Sequence, residues 1–468
     1  MVAEHIPEIK GRTGGPRSAI LYLIGSLVQG LGLLLIQPFA IRVLDPVQWG
    51  LVSTSVVAIQ VIVVLISAGL PLAITRLWFD RVNGQSRSRA MYGFLSLTAL
   101  ILGTAAALVV AWVSMGAQGR VAWPSVMSML SIGLLGSVLG AQAVLRAQNR
   151  PLAFVALSLV SSVAANLAGL GAILLTSPTA TSYLAAYAVA VAAAAALAVF
   201  LVRPKAPWRV HTVLRESVGI ALPLLPHTGA LMLLTQGAVL MLAFLNGATA
   251  AGQFGAVLIF ALGPLTLLNA LNNAWSTRLM EAPAGERSSL LRSVATEALL
   301  ASAAIGLLAS AAASAGSIIL TPSPEVLAPV ARILPLVSLG YGLFLVATNL
   351  VYILGKTRSM AYTTPLVLVL VAAVATPFAL AGHLETVAWI QAAGFTLLGL
   401  SYWLVVKSSN STSWPVGLFG ILLTVHLVAI VVLSAIPPTF VAGAIEIAVV
   451  ALLVLAAGYV RLKRSRPA

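Results

Sequence analysis

Cysteine is absent from all 468 residues, which removes disulfides, thiol nucleophiles and thiolate metal ligands together. Charge is almost as scarce, at 8% Asp, Glu, Lys and Arg, against about 25% in soluble domains. Only 11 residues are acidic, so the carboxylate pairs and clusters that general acid–base or hard-metal chemistry needs have little to draw on. An ordinary globular enzyme is excluded.

What fills the chain instead is hydrocarbon, 60% of residues. Apolar runs of roughly 20 residues, the length a helix needs to cross a bilayer, recur throughout with short polar turns between them. About fourteen are readable, from 18–41 and 51–74 at the start to 416–436 and 439–460 at the end. The fold class expected is an all-α polytopic membrane protein.

The net charge of +15 does not read as nucleic-acid binding, because of where the charges sit. In this parse 23 of the 26 Lys and Arg fall on one side, leaving Arg42, Arg120 and Arg332 on the other. Basic residues stay on the cytoplasmic side of a membrane, so the bias predicts a multi-pass plasma-membrane protein with both termini inside. Residues 1–17, with Glu4, Glu8, Lys10, Arg12 and Arg17, precede a span too long for a cleaved signal and read as a cytoplasmic tail. The inner loops, such as Thr75 to Arg89 and Arg278 to Arg292, suit anionic membrane lipids. No outer segment is long enough to fold as a domain.

An internal repeat organises the spans. Gln48-Trp49-Gly50 returns as Gln253-Phe254-Gly255, and Thr75-Arg76-Leu77 as Thr277-Arg278-Leu279, at offsets of 205 and 202. Arg150 and Arg358, each closing a polar turn after a span, extend the pattern at 208. The parse is an N-lobe of six spans (18–205), a C-lobe of six (206–407), two appended helices (408–460) and a basic tail (461–468). Halves with an even number of spans are parallel repeats about an axis along the membrane normal, and a substrate belongs in the cavity between them. Pro223 and Pro226 in span 217–244, and Gly263-Pro264 in span 251–276, predict kinks there. Asp45 before Pro46 reads as a helix cap.

Some patterns carry nothing. Gly355-Lys356-Thr357 lacks the first glycine of a phosphate loop, since position 350 is Leu. Asn410-Ser411-Thr412 fits a glycosylation acceptor but falls on the predicted inner side, and Gly136 with Gly140 serves close helix packing. No metal or cofactor site is readable. A membrane glycosyltransferase needs acids at its reaction face, and Asp45, Glu325 and Glu385 are isolated from one another, so no enzyme is expected.

The turn Val43-Leu44-Asp45-Pro46-Val47-Gln48-Trp49-Gly50, followed by a helix ending Ala68-Gly69-Leu70-Pro71-Leu72-Ala73-Ile74-Thr75-Arg76, resembles the oligosaccharide flippases of polysaccharide biosynthesis. They belong to the superfamily of multidrug/oligosaccharidyl-lipid/polysaccharide exporters. The resemblance implies two six-helix lobes alternating between inward-open and outward-open. It also implies a polyprenyl-diphosphate-linked oligosaccharide as cargo, with polymerase and glycosyltransferases of the same pathway as partners. Cation-coupled efflux of small molecules is the alternative, weakened by the absence of Asp and Glu inside spans one, two and seven.

A diphosphate calls for guanidinium groups, whose planar fork fits phosphate oxygens. Arg42, Arg76, Arg278 and Arg332 are therefore the candidate cavity cations. Gln29, Gln60, Gln236, Asn269, Asn272 and Asn273 can hydrogen-bond sugar hydroxyls or pack helices together. His227 is the candidate for proton coupling, and Glu446 is placed to pair with His426.

Overall fold

The computed structural model describes residues 16–67, 69–80, 82–210, 214, 215, 217, 219, 222–283, 286–407 and 414–465. The glycosylation-like Asn410-Ser411-Thr412 and the tails 1–15 and 466–468 lie outside the described residues. Among the described residues the main helices are, in order, α1 (Pro16–Val43), α2 (Pro46–Ser67), α3 (Leu70–Trp78), α4 (Gly84–Gln118), α5 (Trp123–Ala147), α6 (Pro151–Leu175), α7 (Ala180–Val202), α8 (Leu225–Leu245), α9 (Ala248–Val257), α10 (Ile259–Glu281), α11 (Arg287–Leu320), α12 (Pro324–Ile353), α13 (Met360–Leu380), α14 (Leu384–Lys407), α15 (Val416–Ser434) and α16 (Phe440–Ser465).

Twelve of these are long and apolar enough to cross a bilayer, and thirteen with the bent pair α9 and α10. The protein is thus a multi-pass membrane protein with an all-α fold. The expected first span, 18–41, falls within the 28-residue α1. A helix makes all its backbone hydrogen bonds within itself, which is why this sequence has no other way to sit in lipid.

Local chemistry sets the ends. Asp45 Oδ1 accepts the N–H groups of Val47 and Gln48 at 2.9 and 2.8 Å, and Pro46 opens α2 where no donor is needed. Three readings from the sequence need correction. The span expected at 51–74 is broken after Ser67, because Gly69 adopts φ 71° and caps the short helix α3, with Pro71 in its first turn. Pro226 begins α8 rather than kinking it, behind a tight turn at Leu222–Leu224. Pro264 lies inside α10, while the 45° bend falls at Leu258, between α9 and α10. The break is at the junction of two helical segments and not at the proline.

The buried side chains form two main cores. One gathers α2 to α7 around Tyr92, Val138, Leu145 and Val191, the other α8 to α15 around Phe254, Val337, Phe395 and Tyr402. Within the first, Gly136 packs on Ala99 of α4, as its small-residue spacing suggests. The halves meet chiefly where α2 lies along α8 and α9. Toward the Arg76 end each stays with its own half, α3 against α4 and α5, α10 against α11 and α12. Helices α15 and α16 are appended to the second core through α11 and α12.

Candidate functional site

The contact between α2 and α9 is made by repeat-related segments. Trp49 Nε1 of α2 donates to the Gly252 carbonyl at 3.1 Å, and beside it Gln37 Nε2 of α1 donates to the Ala256 carbonyl of α9 at 2.6 Å. A Cβ on Gly50 would overlap the Ala248 carbonyl, one on Gly255 the Ser53 hydroxyl, and one on Gly252 would stand 2.8 Å from Gly50 Cα. Gly50 and Gly255 stand at equivalent places in the sequence repeat, 205 residues apart. Backbone-to-backbone approach of this kind needs residues without a side chain.

Three cavities line up along α2. At the Trp49 end one of about 340 Å³ is bounded by Arg42, Pro46, Trp49, Gln253 and the turn Thr321-Pro322-Ser323. Past the clasp, a central cavity of about 320 Å³ lies between Gln29, Gln60, Ser161, Ser162, Asn166 and Tyr187 of the first half and Met232 and Leu262 of the second. Toward the Arg76 end a third, again about 320 Å³, is bounded by Ser67, Gly69, Leu225, Thr228 and Tyr352. Val64 lines both the second and the third. The clasp therefore parts the Trp49-end cavity from the other two, which share Val64 as a wall.

The candidate arginines are not brought together. Arg42 is exposed and lines the Trp49-end cavity. Arg76 is exposed in the last turn of α3 at the opposite end. Arg278, its repeat equivalent, is exposed and holds Glu297 at 2.7 Å. Because that pair faces solvent, Arg278→Ala is expected to cost at most about 1 kcal/mol, read as the melting temperature in detergent.

Arg332 lies elsewhere. Only 1% of it is exposed, its Nη2 donates to Ser314 Oγ at 2.6 Å and to the Ile436 carbonyl at 2.9 Å, and Glu446 stands 3.6 Å away. Ser314 in turn donates to Glu446. His426, expected beside Glu446, bonds Ser310 at 3.1 Å instead, so Arg332 is the carboxylate's charge partner. This cluster ties α15 and α16 to α11 and α12 and borders none of the three cavities.

The polar candidates of the second half mostly serve packing. Asn269 accepts from Tyr341 OH at 2.9 Å and Asn272 from Asn349 at 2.8 Å, joining α10 to α12. Asn273 is exposed, its carbonyl receiving Ser276 and Thr277. Gln236 is buried in α8. His227 is buried too, its Nδ1 2.7 Å from Thr364 Oγ1 and 3.1 Å from Tyr402 OH, inside the second core and away from the seam.

The central cavity is built from other residues. Gln29 and Gln60 were legible as polar positions, while Ser161, Ser162, Asn166 and Tyr187 were passed over. Their signal was there: Ser158, Ser162 and Asn166 are spaced by four in an otherwise apolar run, which is one helix face. A six-residue π turn, Leu159–Ala164, carries the serines, and such turns recur at functional sites.

Among solved structures, the lipid II flippase MurJ in an inward closed conformation superposes with a TM-score of 0.65 at 12% identity, covering 95% of this chain and 99% of its own. A MOP superfamily transporter from Pyrococcus furiosus gives 0.57 at 13% identity over 84% and 94% of the two chains. An inward-facing multidrug resistance transporter of the MATE family gives 0.57 at 13% identity over 83% and 95%. At these identities the likeness is one of fold. Among curated protein sequences none matches. The family model described as polysaccharide biosynthesis protein matches residues 17–276. With more than half of its length matched and the helical architecture of the MOP transporters around a seam of cavities, the chain belongs to the polysaccharide biosynthesis protein family.

Proposed function

We propose that the chain flips a polyprenyl-diphosphate-linked oligosaccharide across the plasma membrane by alternating access. The observation that carries this reading is the series of cavities along α2, shut at the Trp49 end by the glycine clasp and continued past Val64 toward the Arg76 end. The skew of basic residues supports a cytoplasmic Arg76 end, and on that reading this arrangement is the one that loads from inside. The moving bodies are 18–205 and 206–407, with 408–460 carried by the second. Arg76 meets the diphosphate near the inner surface and Arg42 receives it in the outer cavity, each by the forked hydrogen bonding that phosphate oxygens accept. The sugar-building and polymerising enzymes of a surface polysaccharide are the partners on either side.

The test is a proteoliposome assay with a polyprenyl-diphosphate disaccharide, in which a soluble enzyme cuts the diphosphate bond only of molecules that reach the outer leaflet. Wild-type protein is expected to deliver substrate, and Arg42→Ala or Arg76→Ala to slow delivery by about tenfold, the loss of one charge-assisted contact. Export of cationic drugs without movement of the lipid would replace this reading with small-molecule efflux.

A further inference from the structure

The central cavity is uncharged. None of its lining residues, among those described, is Lys, Arg, His, Asp or Glu. The first half contributes amides and hydroxyls from α1, α2, α6 and α7 set among aliphatic side chains of α2 and α5, and the wall from the second half, Met232 and Leu262, is apolar. We infer that this cavity is a subsite for an uncharged sugar of the cargo, and that it discriminates against acidic sugars. The inference rests on the flippase reading and deepens it.

The polar wall is fixed before any ligand arrives. Gln142, buried behind it, donates to Gln29 Oε1 at 3.1 Å and to Ser158 Oγ at 3.0 Å. Ser162 donates to the Gln29 carbonyl at 2.9 Å, Asn166 to the Ser162 carbonyl at 2.8 Å, and Tyr183 OH to Asn166 Oδ1 at 2.8 Å. With its oxygen engaged by Gln142, Gln29 keeps its Nε2 donors for a ligand, and Gln60 and the Tyr187 hydroxyl add a second amide and a phenol. Preorganised neutral donors and acceptors of this kind match hydroxyl and acetamido groups, while the apolar wall covers the C–H face of a ring. A carboxylate there would lose its hydration and find no cation, and an unpaired buried charge is penalised far more than an unpaired hydroxyl. The diphosphate, common to every such lipid, stays outside this cavity and does not enter the comparison.

The experiment compares two donors in the same proteoliposomes, a polyprenyl diphosphate bearing a neutral N-acetylhexosamine disaccharide and one in which a hexuronic acid replaces a hexosamine. The neutral donor is expected to cross at least about tenfold faster. Gln60→Lys, which places a cation in the wall, is expected to reverse the preference, with its melting temperature as the control for folding. Equal rates for both donors in wild-type protein, or an unchanged preference in a folded Gln60→Lys variant, overturn the neutral subsite while leaving the flippase reading intact. If neither donor moves, the flippase reading fails and the subsite with it.

Discussion

Glu446→Ala is expected to destabilise the protein by about 3–5 kcal/mol, the largest loss from any single side chain considered. Arg332 is fully buried, and its guanidinium is held by Ser314, the Ile436 carbonyl and the Glu446 carboxylate. Removing the carboxylate leaves an arginine buried in the protein interior with no counter-charge, and an uncompensated buried charge is costly. The double variant Arg332→Met/Glu446→Leu removes both charges and is expected to recover most of the stability, since the pair itself is close to neutral against an apolar replacement. Thermal unfolding in detergent checks both. A double variant no more stable than Glu446→Ala would show that Arg332 does more than anchor α15 and α16.

Gly50→Val is expected to abolish transport with little loss of fold. The new Cβ meets the Ala248 carbonyl, which belongs to backbone and cannot swing aside. Overpacking typically costs about 1–3 kcal/mol, and every 1.4 kcal/mol is about a factor of ten in an equilibrium. Under the proposed alternating access that cost falls only on the state in which α2 and α9 are clasped, and the population is expected to move toward a molecule open at the Trp49 end. The absence of cysteine makes the check clean: Val57→Cys places a single thiol in the buried seam beyond the clasp. An impermeant maleimide added outside is expected to label it faster in the Gly50→Val background. Unchanged labelling and unchanged transport would remove the clasp from the mechanism.

Most spans were legible because bilayer thickness imposes a run length, and the start of α2 because Asp45 and Pro46 act on their own neighbours, while the break at Gly69 was not. The glycine clasp was half legible. The sequence repeats Gln-Trp-Gly as Gln-Phe-Gly, and only the fold reveals that the two copies touch. The arginines were read less well. Arg76 and Arg278 look equivalent in sequence, yet one stands at the end of α3 and the other is paired with Glu297. Arg332, read as a cavity cation, serves α15 and α16. Ser161, Ser162 and Asn166, read as nothing, line the cavity.

The sequence by itself therefore determined the class of solvent this protein lives in, the rough placement of most of its membrane spans, the internal repeat and the sidedness its basic residues predict. All of these follow from interactions within a helix or between a helix and the bilayer. Tertiary structure alone decided which polar groups face the seam. A soluble helix announces its buried side by an apolar stripe, but these helices are apolar all round and give no such direction. Their rotation is set by glycine contacts and interhelical hydrogen bonds between residues far apart in the chain, such as Trp49 with Gly252 and Gln29 with Gln142.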